Sequence, residues 1–321
     1  MNNSIKRIEW VDIARGIAII SMVAGHSAIP ATLSKYIWSF HMPLFFIVSG
    51  LFFKAPQTIS FKALFIKRIF TLLIPYCFFT VIVMCGYIGT EYFKPYELYE
   101  GWEGYALWFV PVLFFAELLF YFIAKLKKPK LIICVCVLTC LGKILSIYSI
   151  RIPFKIDVVP FAVFFIASGY IARKYIFKYK PKAWLTLICG IITIVLSQIL
   201  PKLGMGKNEF GIMIPNLLNA LLGIFFIFSI SMYLAEISKN IVIRFVDYFG
   251  RNSLFVMAFS QVFNYWILTW LDKCHFPKII ALPLRYAILF GAIFIVAEMM
   301  MKHIPILVGK KLPKTLSHGK K

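Results

Sequence analysis

Carboxylates are scarce in this chain: 13 aspartates and glutamates stand against 35 lysines and arginines, and charged residues of both signs make up only 15% of the 321 residues. With 61% hydrophobic residues and a mean hydropathy of +0.84, that shortage excludes an ordinary soluble domain, whose apolar share is nearer about one half. Polar segments long enough to fold as a separate soluble domain are missing as well, and no internal repeat is visible. The cysteines provide neither a disulfide framework nor zinc spacing. Cys77, Cys85, Cys134, Cys136, Cys140 and Cys189 fall in apolar runs, and only Cys274 lies in a loop. Cys134 and Cys136, two apart, point to different sides of a helix and read as packing residues. A cleavable leader is not expected either. Lys6 and Arg7 precede an apolar stretch from Ile17 to Ala24, but Asp12 and Arg15 interrupt the segment and no small-residue cleavage site follows, so the first run is expected to be retained.

What the chain does contain is apolar runs, at about residues 11–29, 36–53, 69–90, 105–124, 131–150, 156–172, 183–200, 215–235, 252–271 and 279–301, each near the length that crosses a bilayer as a helix. The expected fold class is therefore all-α: a polytopic integral membrane protein of about ten transmembrane helices, forming one transmembrane domain that ends in a basic tail, 302–321. The net charge of +22 sits in clusters between the runs, so it reads as topology signals and contact with anionic lipid, with no nucleic acid needed. Clusters at Lys6 and Arg7, at Lys54 to Arg68, at Lys125 to Lys130, at Arg173 to Lys182 and in the tail alternate with weakly basic or acidic loops. Both termini are thereby assigned to the cytoplasm. Two outer loops stand out. The segment from Pro201 to Pro215 contains Gly204, Gly206, Asn208 and Gly211, and is expected to lack regular structure and to cover a cavity mouth. The segment from Glu91 to Gly104, with Trp102 and several tyrosines and glutamates, suits either sugar stacking or an interfacial aromatic belt.

Charged and titratable groups inside such helices are functional candidates. Arg15 and His26, eleven residues apart, share one helix face roughly 16 Å apart along the axis. His41, in the second run, enters at a depth close to that of His26. A pair of imidazoles supplies a base for deprotonating a hydroxyl near physiological pH. A guanidinium near the cytoplasmic mouth suits a phosphorylated ligand, with Asp12 three residues away to hold it. The bland alternatives are a packed histidine and a snorkelling ion pair. Glu117 and Glu298 could each pair with a buried base or contribute to a site. Asp157 suits a helix start or an acceptor contact. Gln198, Asn216, Asn219, Gln261 and Asn264 read as hydrogen-bonding groups between helices.

The first run, Trp10-Val11-Asp12-Ile13-Ala14-Arg15-Gly16-Ile17-Ala18 with His26 beyond it, resembles the first-helix motif of the acyltransferase family 3 membrane proteins. Phe40-His41-Met42-Pro43-Leu44-Phe45-Phe46 through Ser49-Gly50 is similar to the second helix of the same family. Leu107-Trp108-Phe109-Val110-Pro111, Pro153-Phe154-Lys155-Ile156-Asp157 and Gly250-Arg251-Asn252-Ser253-Leu254 are similar to later blocks of its fucose 4-O-acetylase-like branch. The resemblance implies transfer of an acyl group, usually acetyl, from cytoplasmic acyl-CoA to a hydroxyl of an extracytoplasmic or lipid-linked glycan in a bacterial cytoplasmic membrane. It makes His26 the essential histidine and Arg15 its partner, and puts Lys67 and Arg68 where the family places basic residues toward the donor. Thr71 stands where many members carry another arginine, and Ser260 where many carry a histidine, so no role is carried to either.

The expectation is thus an acyl-CoA-dependent O-acyltransferase with no permanently bound cofactor or metal. His26, His41 and Arg15 are the catalytic candidates, and Arg15, Lys67 and Arg68 the donor contacts. Trp102, Glu117 and Asp157 are the candidate acceptor contacts. Direct attack and an acyl-histidine relay stay open. The rival class is a transporter or flippase for a polar or lipid-linked glycan, in which the same groups bind substrate or relay protons.

Overall fold

The computed structural model describes residues 7–26, 29–93, 105–237, 240–274 and 277–310. Among these residues the regular structure is helical, with a single isolated bridge between Gly204 and Glu209. Its α-helices are α1 (Glu9–Gly25), α2 (Ala31–Leu51), α3 (Phe61–Arg68), α4 (Ile74–Gly86), α5 (Phe109–Ile123), α6 (Lys128–Ile147), α7 (Val159–Ile176), α8 (Ala183–Ile199), α9 (Met213–Glu236), α10 (Ile241–Arg251), α11 (Ser253–Lys273) and α12 (Lys278–His303). A π-helical turn, Ile69–Leu73, joins α3 to α4 without a break.

A helix falls on each of the ten apolar runs. Among the described residues, seven helical stretches are both long and apolar enough to cross a bilayer: Phe61–Gly86, Ala106–Ile123, Lys128–Ile147, Pro153–Ile176, Met213–Glu236, Ser253–Lys273 and Ile280–His303. The seven omit α1, which carries Glu9, Asp12 and Arg15, α2, which opens on Thr32, Ser34 and Lys35, and the 17-residue α8.

Two boundaries differ from the sequence expectation for the same reason: charged residues hid the first turns. Helix α2 begins at Ala31, after Pro30, so His41 lies mid-helix rather than near its start. Helix α3 begins at Phe61, where Ser60 accepts a hydrogen bond from the Ala63 N–H as an N-cap. Lys67 and Arg68 therefore lie inside a continuous helix, one residue before the π turn, rather than at its end.

The chain divides into two compact units. The first takes in Met1–Phe53, Val135–Ile150 and Pro160–Ser253. In it α1 packs on α2, α9 and α10, and α8 on α9 and α2. Glycine permits the closest approaches: a Cβ at Gly16 would land on the Val246 carbonyl, and one at Gly250 on the Asp12 carbonyl. Small residues at helix crossings are the means by which helices associate in lipid, where hydrophobic burial against water contributes nothing. The 201–212 segment of this unit is more ordered than its composition suggested. Met205–Lys207 forms a 3-10 turn, Asn208 adopts a left-handed conformation (φ 54°), and α9 starts as early as Met213. Phe210 explains the order: its ring stacks on Phe161 of α7 at 3.4 Å, both rings fully buried.

The second unit takes in Lys54–Cys134, Arg151–Val159 and Leu254–Lys321. Phe79 of α4 meets Phe255 and Phe259 of α11 edge-on, and the Trp266 indole N–H donates to the Gly86 carbonyl at 2.8 Å. On α12, the buried Arg285 donates to Asn264 of α11, so that amide does serve as an interhelical partner.

Candidate active site at the ends of the first two helices

His26 is the exposed C-cap of α1; its backbone N–H donates to the Met22 carbonyl at 3.2 Å, and among the described residues its ring has no hydrogen-bond partner. Ten residues into α2, His41 is 3% exposed. Trp38, one turn before His41, stands in contact with both rings: its centroid lies 5.3 Å from the His26 imidazole and 5.6 Å from that of His41, edge-on in each case. The indole N–H points to the Gly25 carbonyl at 3.4 Å, which ties α2 to the last residue of α1.

The His41 ring has its tautomer set. Nδ1 lies 2.9 Å from the Ile37 carbonyl oxygen, and a carbonyl only accepts, so Nδ1 carries the proton and the Nε2 lone pair is left for another partner. Pro43 contributes to the local geometry. It lacks the N–H that would bond the Ser39 carbonyl four residues back, a loss that transmembrane helices tolerate when neighbours re-satisfy the group.

Lys202, from the segment after α8, closes the cluster. Its Nζ sits 3.8 Å over the Trp38 ring and 3.3 Å from the Ser34 hydroxyl. Its charge acts on both imidazoles. Partial burial and the nearby Lys207 lower the Lys202 pKa, with Glu209 opposing. Neither Trp38 nor Lys202 was singled out in the sequence. The signal for Trp38 was its i, i+3 spacing from His41; for Lys202 there was only its place in a loop expected to cover a cavity.

Arg15 sits ten residues before the end of α1. One terminal nitrogen donates to the Ser253 hydroxyl at 3.0 Å, and the other lies 3.6 Å from Asp12. Ser253 belongs to the Gly250-Arg251-Asn252-Ser253 block, so two sequence blocks far apart in the chain meet at this guanidinium. Asp247 pairs with Arg251 on α10, and burial raises its carboxyl pKa against the pull of that arginine.

In the second unit Arg68 donates to Glu117 at 2.8 Å and pairs with it through both carboxylate oxygens. Glu117, at 1% exposed, is thus engaged with a base. Lys67 is half-buried one residue away, and Thr71, where an arginine was absent, returns its hydroxyl to the Lys67 carbonyl at 3.0 Å. Asp157 is fully buried in the 3-10 turn Pro153–Val158, accepting from the Ile152 N–H at 3.2 Å with Arg151 at 3.7 Å. Ser260 is buried with no partner for its hydroxyl among the described residues. Glu298 projects from an exposed face of α12. Trp102 lies outside the described residues. No three His, Cys, Asp or Glu side chains among the described residues gather as a metal site.

Helices of this length and apolarity, with polar side chains gathered at their ends and crossings, define a multi-pass membrane protein. The chain belongs to acyltransferase family 3: the family's acyltransferase domain matches residues 8–300. It is therefore a membrane acyltransferase. No curated protein and no solved structure matches it.

Proposed function

We propose that this protein is an O-acyltransferase of the bacterial cytoplasmic membrane, moving an acyl group, acetyl by preference, from cytoplasmic acyl-CoA to a hydroxyl of an extracytoplasmic or lipid-linked glycan. The observation that carries the reading is the pair of imidazoles that both contact Trp38, one of them capping the helix that also bears Arg15, in a chain of an acyltransferase family. Basic clusters on alternate connections support an arrangement with both termini in the cytoplasm and the whole chain as one ten-helix transmembrane domain. Arg15 then lies toward the cytosol and His26 with His41 toward the far side. Arg15 in the first unit, and Lys67 and Arg68 in the second, are the proposed contacts to the phosphates of the donor. Glu117 keeps Arg68 in position.

His26 acts as general base. It takes the proton of the acceptor hydroxyl while the oxygen attacks the thioester carbonyl; the C–S bond then breaks, and CoA leaves as a thiolate that regains a proton. His41, its Nδ1–H committed to Ile37, orients the acceptor through Nε2 or stabilises developing charge. In the relay variant the acyl group rests on an imidazole nitrogen before the hydroxyl attacks. The aromatic segment around Trp102 and the buried Asp157 are assigned to the acceptor side. Replacing His26 with Ala in protein reconstituted in nanodiscs is expected to cut acetyl transfer from acetyl-CoA on the order of 10²–10⁴-fold. Undiminished turnover would remove His26 from the mechanism.

A further inference from the structure

We propose that the acceptor carries an anionic group, carboxylate or phosphate, beside the hydroxyl that is acylated, and that Lys202 selects for it. This rests on reading the His26–His41 end of α1 and α2 as the acceptor side of the enzyme. The end of α8 is bonded to the start of α2, and the segment that follows α8 is bonded to α6. Lys35 donates to the Gln198 carbonyl at 3.3 Å, the Gln198 amide donates to the Thr32 carbonyl at 3.1 Å, and Lys143 donates to the Gly211 carbonyl at 2.7 Å. Lys35 and Lys143 thus donate to backbone carbonyls, whereas Lys202 donates to a side-chain hydroxyl. Among the described residues its contacts are the Ser34 hydroxyl and the face of Trp38, and no carboxylate lies within ion-pair distance. Glu209 is its acidic neighbour and Lys207 its basic one.

The cation–π contact holds an exposed ammonium, without an ion-pair partner among the described residues, over the indole that touches both imidazoles, where an incoming ligand can reach it. Lysine is expected to be sparse on the extracytoplasmic side. Proton transfer to either imidazole would set a second positive charge near the first. An anionic acceptor cancels that repulsion as it binds, whereas a neutral sugar leaves it in place. The ammonium, held against the indole beside both imidazoles, is the partner for the charge.

The test measures binding and transfer on the full chain in nanodiscs with three probes: a disaccharide ending in glucose, the same disaccharide ending in glucuronic acid, and the same carrying a 6-phosphate. The unaltered protein is expected to bind at least one acidic probe about tenfold more tightly than the neutral one. Lys202→Gln should remove that preference, and Lys202→Arg should keep it. Whichever acidic probe is preferred identifies carboxylate or phosphate as the source of the charge. Equal binding of all three probes, or a preference that survives Lys202→Gln, would overturn the proposal. Acidic preference without acetyl transfer to any probe would instead count against the acyltransfer reading and leave the selectivity standing, so the two failures are told apart.

Discussion

A carbonyl four residues back decides what His41 can do. Because the Ile37 oxygen accepts from Nδ1, the ring presents a lone pair and not a proton on its other side, with no charged residue needed to orient it. His26 has the opposite setting, exposed at a helix end and free to approach a ligand. That both histidines are candidates for the chemistry was legible from two apolar runs carrying one each. Trp38 in contact with both was not, since a tryptophan near a membrane surface is ordinarily an anchor. The same contrast holds for Glu117. Its position inside an apolar run indicated a basic partner, but only packing selected Arg68. Glu117→Gln removes the charge from a side that is 1% exposed and leaves Arg68, 22% exposed, without its counter-ion. We expect a loss of about 3 kcal/mol, read as a lower midpoint in thermal unfolding of the detergent-solubilised protein, together with weaker binding of acetyl-CoA.

The crossing of α1 with α10 is the element on which Arg15 depends. Gly16 and Gly250 bring the two backbones into contact, and the closeness of that crossing puts Ser253, at the start of α11, within reach of the guanidinium. Gly16→Ala must push α10 away from α1. The expected cost is about 1–3 kcal/mol, with a fall in acyl transfer because Arg15 loses its alignment to Ser253. Gly291→Ala on α12, where a Cβ would meet nothing within 4 Å, is the control and should leave both stability and transfer intact. Helix α10 has no counterpart among the ten apolar runs. It is an 11-residue amphipathic helix, too short and too charged to register in a search for spans. The early starts of α2 and α3 were missed because charged first turns were assigned to loops. The caps at Pro30 and Ser60 were the available signal.

At the scale of the whole molecule the number of crossings sets the side on which each end lies. Seven stretches qualify by length and apolarity among the described residues, and three further helices, α1, α2 and α8, fall on the remaining apolar runs. An odd number puts the termini on opposite sides of the bilayer, and ten put them together. A fluorescent protein fused after Lys321 is expected to fluoresce, as it does only in the cytoplasm, while alkaline phosphatase fused at the same point stays inactive. The reverse result would place the tail outside and remove α1, α2 or α8 from the set of spans. The proposed path from Arg15 to His26 requires α1 to cross, so this experiment also bears on the direction of acyl transfer.

Sequence by itself determined the class of molecule: too few charges and too many apolar runs for anything but a helical membrane protein, with Arg15, His26 and His41 marked out because polar groups in such helices are expensive. Those conclusions follow from composition and spacing, which are local. Tertiary structure alone decided the partners: Trp38 beside both imidazoles, Lys202 over Trp38, Ser253 on Arg15 and Glu117 on Arg68. Three of these four contacts join different helices or a loop to a helix across long stretches of chain. The Arg15–Ser253 contact depends on the small residues that let α1 and α10 meet, and all three depend on the packing of elements distant in sequence, which no single run of sequence contains.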